Sequence, residues 1–369
     1  MHLSPSLSVY TKEQLNARTA QRLAEFISFG PIVFQASRLL VETGILEALR
    51  DSECGLTVEE AAEKADVSHY AARCLLEAGL SIGLTLVDPE TDRYHLSKTG
   101  WFLLNDPATR VNMRFNHYVN YLGFYKLDEA LKEGRPAGLS ALGDWKTIYE
   151  GLSTLPEPAR TSWFDFDHFY SDYSFDEALK IVFALGPKEI LDVGGNTGRW
   201  ALKCVAYDPD VHVTIADLPQ QIGLMKEQTA GEPGADRISG YPVDLLDENA
   251  QLPTNPAPDV VWMSQFLDCF SEEQIVSILR RTAKILKPAS RLCIMETFWD
   301  RQRYEPASFC LTMTSLYFTV MANGNSKMYH SDDFIALVNR AGLEVETAHD
   351  GLGQGHTILI CKLKNNDNN

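Results

Sequence analysis

The segment that most constrains this chain is Ile190-Leu191-Asp192-Val193-Gly194-Gly195-Asn196-Thr197-Gly198. An apolar run ends in an acid and passes at once into a glycine-rich bend, which reads as a strand, a tight turn and the start of a helix. Glycines there allow positive φ and let the backbone approach a ligand closely. Asn196 stands where a further glycine is common, and asparagine tolerates the left-handed region better than most residues. The spacing is not the GxGxxG of dinucleotide-binding turns. A bare strand-to-helix turn with no ligand is the alternative reading.

The surrounding half of the chain alternates in the same style. Strands are expected over 189–193, 211–216, 237–242, 259–263, 290–296, 343–348 and 356–361, with helices between most of them, including 272–286 and 331–341. Such alternation implies an α/β domain with a parallel sheet covered on both faces. Ligands in these sheets bind beyond the carboxyl ends of the strands. Asp192 in that position would repel a pyrophosphate and attract the cationic amine of a methionine moiety, which favours S-adenosylmethionine (SAM) over NAD. Asp217, in Ile215-Ala216-Asp217-Leu218-Pro219, can accept hydrogen bonds from both hydroxyls of a ribose. Asp244 and Leu245 follow the third strand and offer an acceptor for an adenine amino group and an apolar wall for its ring; Asp244 as a helix cap is the alternative.

The N-terminal third reads as helical. Ile32, Leu39, Leu40, Ile45, Leu46 and Leu49 recur at helical spacing. Thr57 with Glu60 makes a capping box, and Ser68 caps a second helix to about Ala78. Strand, turn and strand follow over 84–96. Two helices and a hairpin in this order make a winged helix. Charge decides against nucleic acid: between positions 51 and 100 ten acids face four bases, and Arg73 is the only cation on the would-be recognition helix, whereas phosphate contacts normally supply most of such affinity. The whole chain carries 33 Lys+Arg against 50 Asp+Glu, a formal charge of −17, which disfavours anionic membranes as well. No apolar stretch approaches the roughly 20 residues of a membrane span, and charges at Lys12, Glu13, Arg18, Arg22 and Glu25 interrupt any signal peptide. A cytoplasmic protein is expected. The 7 cysteines include no CxxC pair, so neither zinc nor a disulfide framework is expected; the site is expected to hold no metal.

From about 105 to 174 aromatic residues dominate, among them Trp145, Tyr149, Trp163, Phe164, Phe166, Phe169 and Tyr170. They read as a helical connector with a bulky core, some of whose rings line a pocket for a flat substrate. The expected organisation is a helical, winged-helix domain over 1–104, a helical connector over 105–180, a SAM-binding domain over 181–364 and a disordered tail over 365–369.

These segments resemble the aromatic O-methyltransferases typified by caffeate and flavonoid methyltransferases. The resemblance spans most of the chain. It is carried by the 192–198 bend, the Asp217-Leu218-Pro219 triplet, the 266–273 segment and Glu296. It implies a Rossmann-like SAM-dependent methyltransferase domain behind a winged-helix dimerisation domain, a homodimer, a helical lid over the substrate within 105–180, and methylation of a small aromatic acceptor. An aromatic-lined pocket is also compatible with an acceptor tethered to a carrier. The resemblance also implies SAM held by Asp192, Gly194, Gly195, Asn196, Gly198, Asp217, Leu218, Asp244, Leu245 and Ser264. The chain departs from the family at the base. Asp268 stands where the family has its histidine, Cys269 where it has an aspartate, and Ser264 where a lysine is usual. Of two orienting glutamates, Glu296 matches one, and Met328 occupies the position of the other. Asp268 and Glu296 are therefore the candidate proton-handling pair, because two nearby carboxylates resist double ionisation and one is lifted toward neutrality. Ring-carbon methylation assisted by Asp268, and a SAM-binding protein that has lost or changed methyl transfer, are the alternatives. A third is that Asp268 caps the following helix. His168, beside Tyr170 in the aromatic stretch, is the reserve base, and Phe318 and Met328 are expected near the substrate.

Overall fold

The computed structural model describes residues 5–364, so the tail at 365–369 lies outside the described residues. The chain divides into two compact units, Lys12–Tyr118 and a larger one built mainly from Val119 onward.

The smaller unit holds helices α1 (Ala17–Ser28), α2 (Gly30–Glu42), α3 (Ile45–Arg50), α4 (Val58–Lys64), α5 (His69–Ile82), α6 (Lys98–Asn105) and α7 (Pro107–Phe115), with a hairpin of β1 (Thr85–Asp88) and β2 (Arg93–Leu96). The apolar spacing over 32–49 yields two helices rather than one, because Gly44 sits at φ +79° and breaks the run. Thr57 and Glu60 form the capping box of α4, and the Ser68 side chain accepts from Ala71 N at the start of α5. Leu40, Ile45, Leu46, Leu49 and Leu76 make the core. By contrast α1 buries none of its residues, and Leu23, Phe26, Ile27 and Ile32 are exposed.

In the larger unit α8 (Leu127–Glu133), α9 (Ile148–Gly151), α10 (Ala159–Asp172) and α11 (Phe175–Phe183) lead into the sheet. Its strands are β3 (Glu189–Val193), β4 (His212–Asp217), β5 (Ile238–Pro242), β6 (Val260–Ser264), β7 (Arg291–Glu296), β8 (Leu343–Leu352) and β9 (His356–Leu363). Their order is β5–β4–β3–β6–β7–β9–β8. The first five are parallel, as alternation predicts, but β9 runs antiparallel to β7 and to β8. The expectation of a wholly parallel sheet fails here for a simple reason: residues 353–355 are too few for the crossover that parallel strands need.

Side chains alternate across the sheet. Leu191, Val261, Met263 and Ile294 face α14 (Glu272–Ile285) and α16 (Ser331–Arg340), with Ile275, Leu279, Phe334 and Val338 opposite. Ile190, Trp262, Cys293 and Met295 face α11 and α12 (Arg199–Tyr207), where Trp200 stacks on Trp262 with centroids 4.3 Å apart. Two helices complete the unit: α13 (Pro219–Thr229), and α15 (Glu305–Tyr317), which runs into a wider turn at Phe318–Ala322. Each large aliphatic side chain buried this way contributes about 1.5–3 kcal/mol, so the strands that carry the site are firmly held. Among the described residues no single helix is long and apolar enough to cross a membrane.

Candidate active site

Strand order reverses between β3 and β6, and in such sheets ligands bind beyond the carboxyl ends of the strands at that point. Asp192 lies there, 2% exposed, and its Oδ2 has no hydrogen-bond partner. The bend folds directly over it. A Cβ on Gly195 would come within 2.5 Å of Asp192 Oδ2, and one on Gly194, at φ +78°, within 2.3 Å of the Phe266 ring. Asn196 itself takes φ +48° and Gly198 φ +82°. Asn196 N donates to Asp217 Oδ2 at 2.9 Å and Leu218 N donates to Asp217 Oδ1 at 2.7 Å, so Asp217 is fixed from both sides. Burial, and then the charge of Asp217, pushes the Asp192 carboxyl up to about 8. Burial also raises Asp217, while its two amide partners hold it back.

The third acid is arranged differently. Asp244 is exposed, and its Oδ1 accepts from Leu246 N at 2.9 Å within a turn; no helix follows for it to cap. Leu245 is buried beside it. Arg281, a buried cation of α14 that sequence reading passed over, ties this loop down by donating to the carbonyls of Leu245 (2.6 Å), Asp247 (2.8 Å) and Ala250 (3.1 Å). Ser264 ends β6, and the next residue, Gln265, sits at φ +45°. A non-glycine residue in that region stores strain of the kind that gathers at functional sites.

A second acidic group begins at the end of β7. Glu296 is 2% exposed; its Oε1 accepts from Phe266 N (3.1 Å) and Leu267 N (2.8 Å), and its Oε2 has no partner. Asp268, 6% exposed, sits on the short turn Leu267–Cys269 that Glu296 supports. Burial pushes Asp268 up to about 6, and burial followed by the Asp268 charge pushes Glu296 well up. The cap of α14 is Ser271, in a capping box with Gln274, so the reading of Asp268 as a helix cap is set aside. The Cys269 thiol donates to Asp268 Oδ1 at 3.5 Å. Met328 is buried, with the Thr297 hydroxyl donating to its sulfur at 3.5 Å.

The aromatic stretch supplies side chains that sequence reading missed. Trp163 Nε1 donates to the Tyr317 hydroxyl at 2.8 Å, anchoring one face of α10 against α15. Asp167 lies one helical turn beyond Trp163 on that face. Its carboxyl is pushed up to about 7, by burial first, then by Asp268 and Asp172, with Arg199 opposing. The Tyr149 hydroxyl is buried without a well-formed hydrogen bond and is raised by burial, Cys269, Tyr317 and Asp268. Asp268 thus lies within electrostatic reach of Asp167, Tyr149, Tyr317, Cys269 and Glu296. An acid set among Phe164, Phe166 and Phe169 was the signal for Asp167.

His168 stacks on Phe164 at 5.9 Å, and its Nδ1 lies 3.8 Å from Asp167 Oδ2; burial, then Arg199, lower its pKa, and Asp268 is not among the charges that shift it. Tyr170 packs on Phe166 (4.9 Å) and Phe169 (5.3 Å). Phe318 is buried against Tyr317, with centroids 5.4 Å apart.

Residues 157–344 match the O-methyltransferase domain, and residues 21–94 match a Dimerisation2-like domain. The chain belongs to the O-methyltransferase family. This methyltransferase is 25% identical over 318 residues to the mitomycin biosynthesis 6-O-methyltransferase of Streptomyces lavendulae, covering 85% of this chain and 86% of that protein. It is 25% identical over 324 residues to the N,N-dimethyltransferase OxyT of Streptomyces rimosus, covering 86% and 87%. The apo crystal structure of the S-adenosylmethionine-dependent methyltransferase SibL aligns with a TM-score of 0.68 at 21% identity, over 92% of this chain and 98% of that one, and shares its fold.

Proposed function

We propose that this methyltransferase transfers a methyl group from SAM to the hydroxyl of a small aromatic acceptor. SAM supplies an electrophilic methyl carbon on a sulfonium centre. The observation that carries the reading is the unpartnered Oδ2 of Asp192 beneath a bend in which Gly194 and Gly195 leave no room for a Cβ. A buried acid held near neutrality lacks a cation, and the ammonium of a methionine tail provides one. Asp192, Gly194, Gly195, Asn196 and Gly198 would hold that tail. Asp217, already oriented by two amides, keeps lone pairs for ribose hydroxyls. Asp244 would accept from the adenine amino group, with Leu245, Leu218 and Ser264 beside the nucleoside.

The acceptor's proton is the second requirement. A phenol has a pKa near 10 and must lose its proton to become a good nucleophile. An ordinary aspartate, at about 3.9, is a poor base for this. Asp268, pushed up to about 6 by burial, is better matched. Glu296 grips the backbone of the Asp268 turn with one oxygen, and burial followed by the Asp268 charge raises its own pKa, so it positions the base. The rings of Tyr149, Trp163 and Tyr317 supply a flat apolar boundary. Relatives bearing O- and N-methyltransferase names show that the acceptor atom varies within such proteins; the choice of oxygen rests on the family.

We further assign the exposed apolar face of α1 and α2 (Leu23, Phe26, Ile27 and Ile32) to pairing with a second copy of the chain, through its winged-helix-like unit. That assignment is supported by the match to a Dimerisation2-like domain.

The test is incubation with methyl-labelled SAM and a panel of phenols. The expected result is label in at least one phenol and a loss of about 10²-fold or more in Asp268→Asn, the scale of general-base contributions. Full activity in that variant would remove Asp268 as the base; absence of SAM binding would remove the reading entirely.

A further inference from the structure

The charge balance around the acceptor groups is one-sided. Asp268, on the turn after β6 that Glu296 supports, lies within electrostatic reach of both Asp167 on α10 and Glu296 at the end of β7. Among the described residues no lysine or arginine side chain hydrogen-bonds any of the three. Arg199, the cation that reaches Asp167, is itself bonded to Asp172. Lys327 pairs with Glu272 at 3.8 Å and lies over the Tyr329 ring, with 47% of its side chain exposed. His168 Nδ1 is 3.8 Å from Asp167 Oδ2, but burial lowers its pKa and leaves the ring neutral at pH 8.

The geometry also gives Asp167 a fixed place. Trp163, one turn earlier, is locked to the Tyr317 hydroxyl at 2.8 Å, so the α10 face bearing Asp167 is held toward Tyr317 and Asp268. Its side chain keeps 30% of its surface accessible, so a ligand can reach it.

We propose that the acceptor site takes hydroxyaromatics that carry no free carboxylate, any acid group being masked as an ester, thioester or amide, and that Asp167 sets this preference. The proposal rests on the methyl-transfer reading above and narrows its substrate class. An ionised acid on the acceptor would add a like charge to Asp167 and Asp268 where water is scarce, and repulsion there is large. A masked acid adds none, and the linkage to a carrier leaves the ring and its hydroxyl free to enter.

The probes are methyl 4-hydroxybenzoate and 4-hydroxybenzoate, with methyl 3-hydroxy-2-naphthoate and its free acid as a second pair, assayed at pH 8 with labelled SAM. We expect kcat/KM for an ester to exceed that of its acid at least tenfold. In Asp167→Asn that ratio should fall at least threefold while the ester is still methylated. An acid used as well as its ester, or a ratio unmoved by the substitution, overturns the proposal.

A second measurement needs no acceptor. Unfolding stabilities of the wild type, Asp167→Asn, Asp268→Asn and the double variant form a cycle. At pH 8 each single change relieves the same repulsion, so the double variant should gain less than the sum of the singles. At pH 5 both carboxyls are protonated and the deficit should vanish. Additive effects at pH 8 would show that the two acids do not face a common space. Failure to bind S-adenosylhomocysteine would instead strike the cofactor reading and leave the cycle unaffected.

Discussion

At the residue scale the site is built from acids shielded from water, Asp192 and Asp268 almost fully and Asp167 in part. Asp192, Asp268 and Asp167 all have carboxyl groups raised above the ordinary range, each by burial first. The sign of the resulting pH dependence follows. A carboxyl raised in the folded state binds its proton more tightly there than in the unfolded chain, so its stabilisation is full below about 3.9 and is lost as pH rises through the folded value. Without ligand, thermal melts should therefore show stability falling between pH 5 and pH 9, and Asp192→Asn should flatten the upper part of that decline near pH 8. Stability that rises over this range would contradict the burial of these charges. Much of this was legible in the chain, because Asp192, the bend and Asp217 are placed by local strand–turn–helix chemistry. Asp167 was not: its neighbours Asp268 and Tyr317 are far away in sequence, and only α10 packing brings them near.

At the element scale the turns do the positioning. Gly194→Ala places a methyl group at positive φ and against the Phe266 ring, so it should cost about 1–3 kcal/mol of stability, the range for such backbone and packing conflicts, read as a lowered melting temperature. Ser271→Ala removes the α14 cap and should cost about 1 kcal/mol, whereas Asp268→Asn should leave the helix intact because Ser271, not Asp268, makes the cap. Circular dichroism melts of the two variants separate these roles. The strands were readable from their apolar runs to within a residue or so at most ends. The break between α2 and α3 and the reversal of β9 were not read, since one rests on the backbone angle of a single glycine and the other on a short β8–β9 link.

At the scale of the whole molecule, net charge and exposed apolar surface pull in different directions. A formal charge of −17 keeps copies apart at long range, and salt screens that repulsion over about 8–10 Å. The apolar residues of α1 and α2 act at contact. Sedimentation should show a dimer in the wild type and a monomer in Phe26→Glu/Ile27→Glu; an unchanged dimer would place the interface elsewhere. Neither change should affect a cofactor crevice built by β3, β4 and β6.

The most direct test is calorimetric titration of S-adenosylhomocysteine, which carries the same ammonium, into the wild type and Asp192→Asn at pH 7. With Asp192 raised to about 8, the wild type should bind and release a proton, so that the observed heat changes with the ionisation enthalpy of the buffer. Asp192→Asn should bind at least tenfold more weakly and lose that buffer dependence. Equal affinity in the two proteins, or no binding heat in the wild type, would contradict the assignment of the crevice above Asp192.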